Sequence, residues 1–150
     1  MTPDERLARL AAGEEPRMVA RLASGFVVMG DSQLLPGYCL LMAYPKVGQL
    51  NDLSGEDRTR FLADMASLGD AVKAATGCVR VNYSIYGNLD PFLHAHVSPR
   101  YADEPDDRRT SPPFSIPASL RESVPYDESL HDALREKIMG ELEAYGLIAV

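Results

Sequence analysis

Apolar and polar positions along this chain separate strands from helices. Residues 24–30, SGFVVMG, form a short apolar run and predict a strand; residues 38–44, YCLLMAY, predict a second, well-buried one. Residues 31–37, DSQLLPG, carry turn chemistry between them. After Ser54, a residue able to cap a helix, Phe61, Met65, Leu68, Val72 and Ala75 recur at spacings of four and three and draw one apolar stripe. Glu56 and Asp57 suit the positive end of that helix, and Gly77 stands where a left-handed C-cap belongs. A last helix is predicted over about residues 127–145, with Leu130, Leu134, Ile138, Leu142 and Tyr145 as its stripe. The first residues predict a short surface helix over about 3–12, opened by Thr2 and Pro3 and closed near Gly13. Residues 103–125 hold Pro105, Pro112, Pro113, Pro117 and Pro125 and read as a long irregular segment, of a kind uncommon unless functional or disordered.

Between the two long helices the period is two. Val79, Val81, Tyr83 and Ile85 face one way and Arg80, Asn82, Ser84 and Tyr86 the other. After a turn-rich stretch, FLHAHVSP alternates again, with Leu93, Ala95 and Val97 opposite Phe92, His94, His96 and Ser98. A hairpin with a five-residue loop centred on Leu89 would set residue 84 against 94 and 82 against 96. His94, His96, Ser84 and Asn82 would then converge on one face at the usual cross-strand spacing of about 5 Å.

The length, 150 residues, suits one domain spanning 1–150 of α+β class, with an antiparallel sheet, one long helix against it and a C-terminal helix appended. Hydrophobic residues make up 45% and charged residues 25%, the balance of a globular protein that folds without staples. The two cysteines, Cys39 and Cys78, sit beside apolar runs and read as buried free thiols, so a reducing cytoplasm is the expected location. No apolar run approaches the roughly 18 residues that span a bilayer, and the charged N-terminal stretch does not resemble a signal peptide. The formal net charge is −7, and the pair Arg108-Arg109 follows Asp103, Glu104, Asp106 and Asp107, which disfavours nucleic acid as a partner. An anionic small substrate would need local hydrogen bonds or an accompanying cation, because the global field opposes it.

Three chemistries suit His94 and His96. They can simply line the sheet and hydrogen-bond to neighbours. They can be two ligands of a metal, with Asp90 or Asp31 as candidates for a third. Or one can attack phosphorus, since imidazole is largely neutral near pH 7 and nucleophilic once its other nitrogen is fixed by an acceptor such as a strand carbonyl. The second imidazole would then hold a phosphate oxygen or protonate a leaving group, while Asn82, Ser84, Asn88 and the amides around Gly87 stabilise phosphoryl charge. His131, alone early in the last helix, reads as an exposed surface residue.

The stretch Gly87-Asn88-Leu89-Asp90-Pro91-Phe92-Leu93-His94-Ala95-His96-Val97-Ser98-Pro99-Arg100 resembles the signature of the histidine triad (HIT) superfamily. That signature is three histidines alternating with apolar residues, usually after Gly-Asn or Gly-Gln and often before Pro-Arg. Leu35-Pro36-Gly37-Tyr38-Cys39-Leu40-Leu41 resembles the family's Pro-Gly-His strand, and the likeness covers about residues 23–102. In this register Phe92 stands at the first histidine, His94 at the second and His96 at the third. The resemblance implies a HIT-like fold, a homodimer and a nucleotide phosphohydrolase acting on a nucleoside phosphate or a dinucleoside polyphosphate such as diadenosine polyphosphate. It implies His94 as the nucleophile of a covalent nucleotidyl-histidine, His96 assisting at the phosphate, Asn82 near it, and Asp31 similar to an acid that binds ribose hydroxyls. A nucleotidylyltransferase with the same intermediate and a non-catalytic nucleotide-binding protein are the alternatives. No cofactor or metal held by the protein is implied; magnesium would arrive with a polyphosphate. Phe92 and Tyr38 depart from the family's histidines. A phenylalanine still offers its carbonyl to orient His94, but the side-chain relay is lost, and the two aromatic rings can pack against each other.

Overall fold

The computed structural model of the chain describes residues 1–149. Helix α1 (Pro3–Ala11) starts in a capping box: Thr2 Oγ1 accepts from the Glu5 amide at 3.1 Å, and the Thr2 amide donates to Glu5 Oε2 at 2.7 Å. Strands β1 (Met18–Leu22), β2 (Gly25–Met29) and β3 (Cys39–Ala43) follow, then the 22-residue α2 (Gly55–Thr76), β4 (Arg80–Ser84) and β5 (His94–Arg100). The segment beyond β5 holds three short turns, α3 (Asp106–Arg109), a 3₁₀ turn at Pro113–Ser115 and α4 (Ala118–Arg121), before α5 (Glu128–Ala144). The strands form one antiparallel sheet in the order β1-β2-β3-β5-β4. No described helix is long and apolar enough to cross a membrane.

The period-two pattern of β5 divides the sheet into two faces. Leu93, Ala95 and Val97 join Val27, Met29, Cys39 and Leu41 under α2 and α5, where Phe61, Leu68, Val72, Ile138 and Leu142 are buried. The opposite face is covered in part by α1: Leu7 and Leu10 pack on Phe26, Val28, Met42 and Phe92. The surface helix expected at the N-terminus therefore buries one side. Strand β2 is buried along its whole length because it has cover above and below, which is why it reads as a continuous apolar run. Gly25 sits where any side chain would collide, since a Cβ there would lie 1.9 Å from the Met42 carbonyl oxygen.

Several details differ from the pattern reading. Strand β1 was not expected; it is five residues long and joins β2 through the turn Ala23-Ser24, which lacks the usual hairpin chemistry. The β4–β5 register is shifted by two: Ser84 opposes His96, and Asn82 opposes Ser98. The shift arises because Leu93 bonds elsewhere, its amide to the Val47 carbonyl at 2.8 Å and its carbonyl to the Ala43 amide at 3.0 Å. Residues 85–93 are thereby drawn into the connection. Gly77 does adopt the left-handed C-cap, with φ +69°, whereas the Ser54 side chain makes no capping bond. On α5, Leu130 is 72% exposed and Tyr145 is also exposed; the buried side runs through His131, Ile138 and Leu142. His131 is thus buried, its Nδ1 accepting from the Asp127 amide at 2.8 Å. Both cysteines are buried and free.

The irregular segment is held by one buried cation. Arg100, 6% exposed, donates from Nε and Nη2 to the two oxygens of Glu104 at 3.1 and 3.0 Å, from Nη1 to Asn82 Oδ1 at 3.0 Å and the Ser111 carbonyl at 2.5 Å, and from Nη2 to the Arg108 carbonyl at 2.9 Å. Removing the guanidinium leaves a buried carboxylate and three further acceptors without their donor. Arg100→Ala should lose about 3–5 kcal/mol of stability to urea, the range for breaking a buried pair from one side. Limited proteolysis should then cut first within residues 103–125. Wild-type stability in the variant would contradict this role.

Candidate active site

Strand β5 sets the site. His94 and His96 project from the face that α1 leaves partly open, with Met42 and Leu40 as their cross-strand partners on β3. Together with Val28 these apolar side chains floor a cavity of about 450 Å³ whose wall includes both imidazoles and Ser98. The two rings lie edge to face with centroids 5.0 Å apart.

Hydrogen bonds assign the two rings opposite tautomers. His94 Nδ1 lies 2.8 Å from the carbonyl oxygen of Phe92 on its own chain. A carbonyl only accepts, so Nδ1 carries the proton and Nε2 keeps its lone pair. Among the described residues no fully buried side-chain nitrogen or oxygen lacks a partner. Nε2 of His94 has no partner among them, so it retains access to the cavity that the ring lines. His96 is arranged the other way. Its Nδ1 lies 2.7 Å from the Tyr38 hydroxyl, which has no other acceptor among the described residues and therefore donates. The proton of neutral His96 then sits on Nε2. Burial, reinforced by the neighbouring His94, pushes the His96 pKa down from 6.5 to about 4, so the ring is neutral near pH 7. Burial also raises the Tyr38 pKa, which keeps that hydroxyl a donor.

Tyr38 is aimed by the turn that precedes it. Gln33, 1% exposed, donates from Nε2 to the carbonyls of Gly30 and Tyr38, each at 3.0 Å, and its Oε1 accepts from the Gly37 amide at 2.9 Å. Tyr38 and Phe92 do not pair with each other. The tyrosine stacks on His96, while the Phe92 ring is fully buried in the cluster under α1 and touches His94 at a centroid distance of 4.7 Å.

The roof comes from the proline-rich segment. Phe114 meets His96 edge-on at 4.8 Å, and Ile116, Arg121 and Pro125 continue the wall. Three arginines line the cavity against Asp31, Asp90 and Glu122, a local balance that differs from the −7 of the whole chain. Arg6 of α1 pairs with Asp90 at 3.2 Å, and Arg17 pairs with Glu15 at 3.0 Å and with Asp31.

The remaining candidates are spread from the cavity's edge to the far side of β4. Asp31 is at the cavity's edge, exposed and held by Arg17. Asn82 and Ser84 line a separate groove with Tyr86 and Arg100, and the Asn82 carbonyl oxygen is taken by Arg100. Gly87, with φ +76°, and the exposed Asn88 lie in the β4–β5 connection and do not line the histidine cavity. Among the described residues no three metal-ligating side chains converge, so Asp90 and Asp31 do not complete a set with the histidines. Arg6, Arg17, Phe114 and Arg121 were not found from sequence. An early reading of β1 would have brought Arg17 to Asp31 across the β1–β2 hairpin; for the others the chain offers no local signal.

No protein-family model and no curated protein matches the sequence. Solved structures do. A histidine triad protein from Sinorhizobium meliloti aligns with a TM-score of 0.73 at 21% identity, over 94% of this chain and 96% of that one. The chain has the histidine triad fold. A histidine triad protein from Marinobacter aquaeolei, also at 0.73, is 22% identical over 93% of this chain and 94% of its own. A hypothetical histidine triad nucleotide-binding protein from Sulfolobus tokodaii, at 0.66, is 15% identical over 92% and 91%. As a HIT-fold chain it shows the expected α+β class with an antiparallel sheet.

The His96 environment has a pH signature. The unfolded chain takes up this proton near 6.5 and the folded chain only near 4, so stability falls as pH drops through that window. His96→Gln should flatten the slope of urea stability between pH 6.5 and 4. Tyr38→Phe should raise the His96 pKa, read by NMR titration of the imidazole, because the bond that favours the neutral ring is gone. An unchanged slope and an unchanged titration would contradict the assignment.

Proposed function

We propose that this protein is a nucleotide phosphohydrolase working through a covalent nucleotidyl-histidine at His94. The observation that carries the reading is the bond from His94 Nδ1–H to the Phe92 carbonyl, which leaves the Nε2 lone pair for the cavity. The description of the Sulfolobus tokodaii neighbour as nucleotide-binding supports the substrate class. The apolar floor of Val28, Leu40 and Met42 suits a base, and the arginines of the wall suit phosphate.

In the first step Nε2 attacks phosphorus. The N–P bond forms as the bond from phosphorus to the leaving oxygen breaks, and that oxygen departs with the electron pair. Imidazole 94 becomes cationic, and the Phe92 carbonyl, accepting from Nδ1–H, is placed to stabilise that charge. The Nε2–H of His96 donates to a phosphoryl oxygen and offsets charge building there. In the second step water attacks phosphorus, the N–P bond breaks with its pair returning to Nε2, and the water's proton passes to solvent. This scheme needs no metal held by the protein; magnesium enters bound to a polyphosphate substrate.

We further read β4 as the edge at which two chains pair. It has β5 on one side only, and Val79 beside it and Tyr83 within it are 62% and 42% exposed.

Mass spectrometry of protein quenched during incubation with mixed nucleotides should find a nucleotidyl increment on the peptide carrying residues 94–96. His94→Ala should lose the adduct and at least about a thousandfold in turnover while still binding nucleotide. Turnover that survives the substitution would overturn the reading. Light scattering should give a dimer mass; a monomer at micromolar concentration would remove the β4 interface.

A further inference from the structure

The roof carries a cation that no acid among the described residues pairs with. Arg121 lines the cavity that holds His94 and His96, and among the described residues no carboxylate lies within 4.0 Å of it, whereas Arg6 and Arg17 both have acid partners. The residue is nevertheless held in place. Its backbone carbonyl accepts from Ser32 Oγ at 2.6 Å, and the chain beyond it is tied to the same loop by the Gln33 amide on the Val124 carbonyl at 2.8 Å and the Tyr126 amide on the Asp31 carbonyl at 2.7 Å. Its side chain is anchored by Nε, which donates to the Ile116 carbonyl at 3.0 Å, and by the Phe114 ring, 5.4 Å below the guanidinium carbon. That same ring abuts His96.

Such anchoring leaves Nη1 and Nη2 without partners among the described residues. A guanidinium is always charged and presents these donors as a planar fork matched to phosphate oxygens. Resting on Phe114 is a weak attraction at a partly exposed site and satisfies none of them. A positioned, unpaired cation beside two imidazoles in a strongly acidic protein is therefore available to an anion from outside.

We propose that Arg121 is the residue that recognises the leaving group, and that the leaving group is itself a phosphate: the substrate is a nucleotide carrying a second phosphate beyond the one attacked. This rests on the reading of His94 as nucleophile. His96 agrees with it independently. Held neutral, with one proton on Nε2 to share in a hydrogen bond, it is a poor acid for expelling an amine, which must take up a proton as it leaves. A phosphate leaves as an anion with the electron pair of the broken P–O bond, and what it requires is a positive charge at the departing end. Arg121 supplies that charge from the roof while His96 serves the phosphoryl oxygens from the sheet. The proline-rich segment thus selects substrates as well as covering the site.

The test compares binding of adenosine monophosphate and adenosine diphosphate by calorimetry, in a His94→Ala background that prevents turnover. With Arg121 present the diphosphate should bind roughly ten- to a hundredfold more tightly, the span expected for charge-assisted hydrogen bonds. Arg121→Gln should bring the ratio below about threefold, and Arg121→Lys should restore part of it. A ratio near one with Arg121 intact, or a large ratio that survives Arg121→Gln, overturns the proposal. Loss of binding for both nucleotides alike in the variant also overturns it, since that is the mark of a collapsed roof. Should the wild type form no adduct while the ratio still depends on Arg121, the nucleophile reading fails and the anion site stands. If neither nucleotide binds, inorganic pyrophosphate reads the site directly: binding that Arg121→Gln abolishes upholds it, and absent or unchanged binding rejects it.

Discussion

A backbone carbonyl has no proton to give, and the chemistry open to the ring at position 94 follows from that. Because the Phe92 oxygen can only accept, the facing nitrogen must hold the hydrogen, and the opposite nitrogen is left with its lone pair. The bond is local in sequence, spanning two residues, but it depends on distant packing. Phe92 is fully buried among Leu7, Leu10, Phe26 and Met42, and Leu93 is pinned to Val47 and Ala43. The carbonyl is thus rigid because one helix covers the ring beside it and the adjoining residue is bound into the exit of β3.

The second imidazole is set by a different kind of partner. A phenolic hydroxyl can donate or accept, and here the lack of another acceptor among the described residues decides the direction. Two rings of the same chemical type, two residues apart on one strand, thereby become unlike: one offers a lone pair and the other a hydrogen. Burial at His96 removes the third option, a positive charge near neutrality. Tyr38 and Phe92, which the motif likeness places where the family has histidines, are the two residues that make this difference.

Regular elements were legible in proportion to how far local pattern coincides with burial. The stripe of α2, the left-handed glycine after it and the alternation of β5 all could be read, because each reports a face that tertiary structure does bury. Where the cover is two-sided or incomplete, pattern misled. On α5 Leu134, Ile138 and Leu142 of the expected stripe pack on the core, but its ends Leu130 and Tyr145 are exposed, while His131, polar by type, lies inside and caps its own helix. Strand β1 has a register shift between Met18 and Ala20 that breaks its alternation, and the β4–β5 pairing slipped because Leu93 is bound by Val47 and Ala43 outside the hairpin. A slip of two preserves which face each side chain occupies, so both histidines still emerge together. It moves Asn82 from His96 to Ser98 and sets Ser84 across from His96 instead of His94. The roof was invisible for a simpler reason: the segment carrying Phe114 and Arg121 is brought to the site by bonds from Arg121, Val124 and Tyr126 to Ser32, Gln33 and Asp31, far away in the chain.

The position of Arg100 has a wider consequence. It ends the same strand that begins with His94, and its guanidinium is the hub to which Glu104, Arg108 and Ser111 are tied. Floor and canopy therefore share one rigid rod, and any sliding of that rod would displace both in concert. The canopy could not be transplanted onto another sheet of this shape without a socket for residue 100, nor exchanged for a longer one without disturbing the spacing between reactive rings and overhead charge. Variation in what the protein accepts should accordingly accumulate beyond Ser111, on the far side of the clasp, where the chain can change its reach without loosening its root.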